Sequence, residues 1–302
     1  MERLPVRVTR NRLRPLIRPE AKRMRFPLLF AFAGALIACG SPTAPGGTES
    51  GFVMNGSIQL RWFLDLPLGD GPFPAVVYGP GSGNVSADHS STIRFARGLN
   101  DLGFAVMRYD KRGTGGSDGE VVGVSTANSL STIPLLASDM LAVLDQLFTD
   151  PSIDVTRVGL FGASQANWYM PVVADARPAV GFMVVVTGGV LPVGMQNRYE
   201  ELTRIDGLTQ EEAEAVLGLL ADFTGELAFN QIPILERLGI PMLYLLGGAD
   251  PFGPRGANLA AMADLVAAGV DLEFIVYEGG EHVLPGIDFW PDVTDWLHRK
   301  GM

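Results

Sequence analysis

The sequence predicts an α/β domain built on a mostly parallel central sheet with helices on both faces. Three observations carry that expectation. Short apolar, β-branched runs alternate with runs whose apolar residues recur at helical spacing, from Ile58 to the end of the chain. The 302 residues, 47% of them hydrophobic, suffice for one large core without demanding a second domain. Residues able to carry chemistry fall just after strand-like runs, and the carboxyl ends of parallel strands are where ligands collect in such sheets.

The elements follow in order. IQLRWFLDL (Ile58–Leu66) alternates and predicts a strand, and FPAVVYG (Phe73–Gly79) is a continuous apolar run of the kind a sheet buries on both faces. TIRFARGLNDLG is helical and ends at Gly103, and FAVMRYD is a strand. PLLASDMLAVLDQLF predicts a helix over residues 134–148 with Pro134 in its first turn, where a missing N–H costs nothing. RVGLFG, AVGFMVVVTGG, IPMLYLLGG and LEFIVYEGG predict strands; QANWYMPVVAD, GANLAAMADLVAAG and DFWPDVTDWLHRK predict helices. There is no internal repeat.

The front of the chain reads differently. Residues 1–25 hold nine Lys and Arg against Glu2 and Glu20, leaving 14 basic and 31 acidic residues elsewhere. A body this acidic repels phosphate backbones, so the sequence argues against nucleic acid as a partner. The basic stretch precedes an uncharged run, residues 26–38, shorter than the roughly 20 residues a membrane span needs. We therefore read residues 1–39 as a signal peptide. Leu36-Ile37-Ala38-Cys39 is similar to the lipobox of bacterial lipoproteins, which implies lipidation of Cys39 and a membrane partner through that N-terminal anchor. As the single cysteine, Cys39 can form no internal disulfide. Residues 40–51, rich in Gly, Ser, Thr and Pro, read as a flexible linker, and the folded domain is expected over residues 52–302.

The chemistry centres on LFGASQANWYM. Gly162-Ala163-Ser164 begins a nucleophile elbow, the strained strand-to-helix turn that exposes a serine, but Ala166 stands where a second glycine is usual and Asn167 follows. Size is the main constraint at Ala166, and one methyl is a small addition. A serine is a weak nucleophile without an imidazole to take its proton, and the imidazole needs a carboxylate behind it. Asp250 follows one strand and His282 lies beyond the next, so the order is Ser164, Asp250, His282. Of the other histidines, His89 lies in a loop near the expected site and His298 in the last helix. Glu278 and Glu281 flank His282, but adjacency along a loop does not put a carboxylate behind an imidazole. Asp250 also has the alternative of capping the helix after Pro254.

GPFPAVVYGPGSG, YDKRGTGGSDG, GASQANW, GGADP and GGEH, in that order, resemble segments of bacterial α/β-hydrolases of the dienelactone-hydrolase-like and prolyl-oligopeptidase-like esterase group. The resemblance covers about residues 52–302. It implies the α/β-hydrolase fold, Ser164 as nucleophile, Asp250 as acid and His282 as base. It also implies an oxyanion hole from the backbone N–H groups of Gln165 and Ser82. Relatives read His-Gly-Ser-Gly where this chain has Pro80-Gly81-Ser82-Gly83, and S-Q-A-G-W where it has Asn167. YDKRGTGGSDG lacks the Walker spacing; in the resembling family it shapes the structure beneath the site, with Asp110 and Arg112 in internal contacts.

Residues 192–238 form an insert, expected as a small helical lid. Thr209 and Glu212 make a capping box, and Ala213, Val216, Leu217 and Leu220 an apolar stripe packed on the main domain; Met195, Tyr199 and Phe223 are candidate substrate contacts. The function so implied is a serine hydrolase of carboxylic esters, with a small-molecule ester as substrate and neither cofactor nor metal. A peptidase or thioesterase of the same fold, or an inert hydrolase fold used for binding, stays open.

Overall fold

The computed structural model describes residues 7–9 and 46–302. The expected signal peptide and lipobox, Cys39 included, and the first part of the expected linker lie outside the described residues, apart from a three-residue strand, β1 (Arg7–Thr9). Strands β2 (Gly47–Asn55), β3 (Ile58–Leu66), β4 (Phe73–Gly79) and β5 (Ala105–Tyr109) open the domain, with α1 (Ser90–Asp101) between the last two. Then come α2 (Ser129–Leu147), β6 (Ile153–Ala163), α3 (Ala166–Ala176) and β7 (Val180–Val186). The insert holds α4 (Val193–Arg204), α5 (Gln210–Leu217), a 3-10 turn (Leu220–Asp222) and α6 (Ile232–Leu235). β8 (Met242–Gly247), α7 (Arg255–Ala267), β9 (Leu272–Tyr277) and α8 (Trp290–Lys300) complete it.

Among the described residues the strands form one sheet in the order β1-β9-β8-β7-β6-β4-β5-β3-β2. The β3–β5 and β2–β3 pairings are antiparallel and the rest parallel. Residues 47–51, expected in the linker, are instead the first half of β2, paired in unbroken register from Gly47 opposite Leu66 to Asn55 opposite Ile58. Their polar composition hides a strand because its side chains are mostly exposed and it needs only the partner's backbone to order it.

Helices cover both faces. Phe95, Ala96 and Leu99 of α1 pack with Val293, Trp296 and Leu297 of α8 over one face. On the other lie α2, α3 and α7 with the insert, whose Met195, Tyr199, Leu202, Ala213 and Leu217 are buried. Helix α2 begins at Ser129, so Pro134 sits in its second turn rather than its first. Pro134 has no N–H to donate to the carbonyl of Leu130 one turn back, and Leu130 is an exposed residue. The expected capping box of α5 is present, but Val216 of the expected stripe is exposed while Ala213 and Leu217 are buried.

Candidate functional site

Ser164 follows β6 with φ of 54°, a left-handed conformation that costs a non-glycine residue about 1 kcal/mol. Gly162 permits the turn, because a methyl there would lie 2.7 Å from Ala166 Cβ and Met170 Sδ and 2.9 Å from the carbonyl of Gly79. A methyl on Gly79 would in turn meet Ala166 Cβ at 3.0 Å. The methyl of Ala166 therefore fills the space two glycines leave open, which is how the elbow accepts alanine. Asn167 is accommodated in the same way: its Cβ faces Gly188, and its amide donates to the carbonyl of Gly189 at 2.7 Å.

Asp250 and His282 meet from different loops. Nδ1 of His282 lies 2.8 Å from Oδ2 of Asp250, while Oδ1 of Asp250 accepts from the N–H of Phe252 at 3.0 Å. With the proton on Nδ1, Nε2 is left as an acceptor. Phe252 packs on the imidazole at 4.6 Å between ring centroids, and the guanidinium of Arg204 lies over that phenyl ring, 4.6 Å from its centre. The loop after His282 has left-handed backbone at Val283 and Leu284. Arg94 of α1 donates to both of their carbonyls, and Thr187 Oγ1 accepts from the N–H of Val283. The strain in this loop is thus offset by contacts with two other elements.

One cavity of about 360 Å³ gathers Ser164, Gln165, Ser82, Asp250 and His282 along its wall, close to the lower end of the size range for small-molecule sites. Helix α4 lines it with Gln196, Asn197, Glu200 and Arg204. Burial pushes the carboxyl of Glu200 up from its ordinary value, against the pull of its hydrogen bond from Gln196 and of Arg204. Among the described residues the Ser164 hydroxyl makes no hydrogen bond, to His282 or to any other side chain.

The other expected residues fall elsewhere. His89 caps α1, its Nδ1 accepting from the N–H of Ser91. His298 lies in the last turn of α8. Glu278 pairs with Arg255, and Glu281 is exposed. Asp250 does not cap α7, whose N-cap is Pro254. Met195 and Tyr199 are core residues, and Phe223 lines a different cavity. Asp110 accepts from the N–H groups of Ala87 and Gly116, and Arg112 forms a bidentate pair with Asp139 of α2, so both make internal contacts. Among the described residues no three His, Cys, Asp or Glu side chains gather as a metal site.

Sequence reasoning passed over two residues beneath the cavity. Lys111 donates to Gly81 O at 2.8 Å and to Gln165 Oε1 at 3.0 Å, and the Tyr169 hydroxyl donates to Pro80 O at 2.5 Å. The available signal was a lysine in a turn directly after a buried strand, between two residues already expected to point inward.

No model of a known protein family matches the chain. Esterase EstD of Thermotoga maritima is 28% identical over 225 residues, covering 67% of this chain and 52% of that protein. The chain thus spans about half the length of this curated relative. The acylaminoacyl peptidase of Pyrococcus horikoshii superposes with a TM-score of 0.65 at 13% identity, covering 85% of this chain and 42% of that one. Dienelactone hydrolase from Anabaena variabilis gives 0.57 at 20% identity over 84% of this chain and 97% of that one. Est1E from Butyrivibrio proteoclasticus, solved with ferulic acid bound, gives 0.58 at 18% identity over 82% and 96%. The chain has the α/β-hydrolase fold. In α/β-hydrolase terms, Ser164 stands at the elbow between β6 and α3, Asp250 after β8 and His282 after β9.

Proposed function

We propose that the protein is a serine hydrolase that cleaves carboxylic esters through an acyl-enzyme. The observation that carries this reading is the convergence on one cavity of a left-handed serine after β6 and a carboxylate-bonded imidazole. The likeness to an esterase supports the ester as substrate.

In this mechanism a bound ester draws Ser164 and His282 together. Nε2 takes the hydroxyl proton as Oγ attacks the carbonyl, and Asp250 stabilises the imidazolium. The N–H groups of Gln165 and Ser82 receive the oxyanion. His282 protonates the departing alcohol, then activates water to release the acid. The α4 insert acts as a lid whose polar inner face restricts the acyl group. The chain is exported and held to a bacterial membrane by lipid on Cys39, outside a cell whose nucleic acids it does not contact.

Fluorophosphonate labelling tests the reading, since the probe reports an activated serine whatever the natural substrate. Labelling of the wild type and none of Ser164→Ala is expected. Absent labelling with absent turnover would point to a binding protein, and efficient cleavage of aminoacyl amides to a peptidase.

A further inference from the structure

Lys111 is 3% exposed and lies under the cavity, yet the chemistry above leaves it without a task. Its ammonium donates to three uncharged oxygens: Gly81 O at 2.8 Å, Gln165 Oε1 at 3.0 Å and, at 3.5 Å, Gly83 O. Two belong to the loop after β4 and one to the residue after Ser164. These are the two places from which the oxyanion donors are expected.

Peptide geometry gives this arrangement a consequence. In a trans peptide the C=O and the following N–H point in opposite directions. An ammonium that holds the Gly81 carbonyl from below therefore directs the Ser82 N–H away from itself, toward the cavity that Ser82 lines. This peptide lies against the serine: a methyl on Gly81 would be 3.4 Å from Ser164 Cβ and 3.9 Å from its Oγ. Released from the lysine, the same peptide could turn over and aim a carbonyl at the site. The Tyr169 hydroxyl holds the preceding carbonyl, of Pro80, so two consecutive peptides are pinned from beneath. The loop after β4 is thus held from two elements, by Lys111 in the turn after β5 and by Tyr169 on α3.

We propose that Lys111 is a positioning residue that sets the oxyanion hole, fixing the Gly81–Ser82 peptide with its N–H toward the substrate and clamping Gln165 beside it. The proposal rests on the serine-hydrolase reading. Burial pushes the Lys111 ammonium down to about 8, with Asp139 of α2 opposing the shift, so the side chain is mostly protonated at neutral pH. An ion kept this deep without a directly bonded carboxylate is poorly suited to a purely structural task, since burying charge is costly and an apolar side chain would pack at lower cost.

The test compares the purified wild type with Lys111→Met, which keeps the length of the side chain and removes the donors. Turnover of 4-nitrophenyl acetate is measured per active site, alongside a thermal melt and the rate of fluorophosphonate labelling. Displacing one oxyanion donor should lower kcat by on the order of 10²-fold, with KM changing less than about threefold and labelling slowed in parallel. A folded Lys111→Met with wild-type kcat overturns the proposal. Should that variant not fold, Gln165→Leu decides, because it keeps the backbone N–H and removes only the side-chain acceptor. A loss in kcat of about tenfold at unchanged KM then supports the clamp, and none overturns it. Failure of the underlying reading looks different, since it would leave the wild type itself unlabelled or Ser164→Ala active.

Discussion

Nδ1 of His282 lies 2.8 Å from Oδ2 of Asp250, although 32 residues separate them in the chain. The contact exists because β8 and β9 are parallel neighbours, so the loops leaving their carboxyl ends emerge side by side. Under the proposed mechanism, Ser164→Ala and His282→Ala should each lower turnover of a short aryl ester by on the order of 10⁴-fold or more. The double variant should be little worse than either, because the residues act as a unit. Asp250→Asn should cost less if Phe252 continues to hold the ring. Steady-state kinetics on the four proteins checks this, and ester turnover that survives Ser164→Ala would overthrow the assignment.

Gly162→Ala should damage both stability and rate. Its methyl would lie within 3 Å of Ala166, Met170 and the Gly79 backbone, so strand and helix must separate. Overpacking of this kind costs about 1–3 kcal/mol. Denaturant melts and kcat of the folded fraction measure the two effects, and Ala166→Gly, which relieves the contact, should spare the fold.

Lys111 predicts an alkaline limit to activity. Its pKa is lowered from 10.5 to about 8, chiefly by burial, so the ammonium that holds the Gly81 carbonyl is lost as pH rises through 8. The stability effect has the opposite sign. Between about 8 and 10.5 the unfolded chain binds this proton and the folded one does not, so the Lys111 contribution to stability grows with pH across that window. Turnover should therefore decline above pH 8 with no loss of stability attributable to this group. Lys111→Met should lack that limb. A pH series of kcat and melting temperature separates the two.

Glu200→Leu should shift acyl preference. Glu200 lines the cavity from α4, and exchanging its carboxylate for an isobutyl group gives longer acyl chains an apolar wall. At about 0.8 kcal/mol per buried methylene, each added carbon should gain up to roughly fourfold in relative kcat/KM. Rates on acetate, butyrate and hexanoate esters test this. Point substitution is the better probe here than removing the insert, since Met195, Tyr199, Leu202, Ala213 and Leu217 belong to the core.

Cys39→Ser should release the protein from the membrane fraction or block its processing, if lipid on Cys39 is the anchor. Fractionation followed by intact mass of the bacterial product decides; unchanged distribution and mass would remove the anchor.

Apolar periodicity made most of the fold legible before any coordinates. The run predicted over Ile58–Leu66 is β3 and that over Phe73–Gly79 is β4, end for end. Such segments announce themselves because a strand buried within a sheet must be apolar wherever it touches a helix layer. β2 did not, since none of its residues 47–51 carries an apolar side chain and its order comes from backbone pairing with β3. Nor did the start of α2, where Pro134 resembled a first-turn residue because sequence does not show that Leu130, one turn earlier, lies on the exposed side of the helix.

By itself the sequence determined the α/β alternation, the elbow around Ser164 and the order of serine, acid and imidazole along the chain. These are local properties, carried by residue type and spacing. Tertiary structure alone decided that the Asp250 carboxylate comes within hydrogen-bonding distance of His282, that Ala166 fits between Gly79 and Gly162, and that Lys111 reaches both Gly81 and Gln165. Each of these joins groups on separate strands or loops, and only the register of the assembled sheet brings those segments within hydrogen-bonding or van der Waals distance.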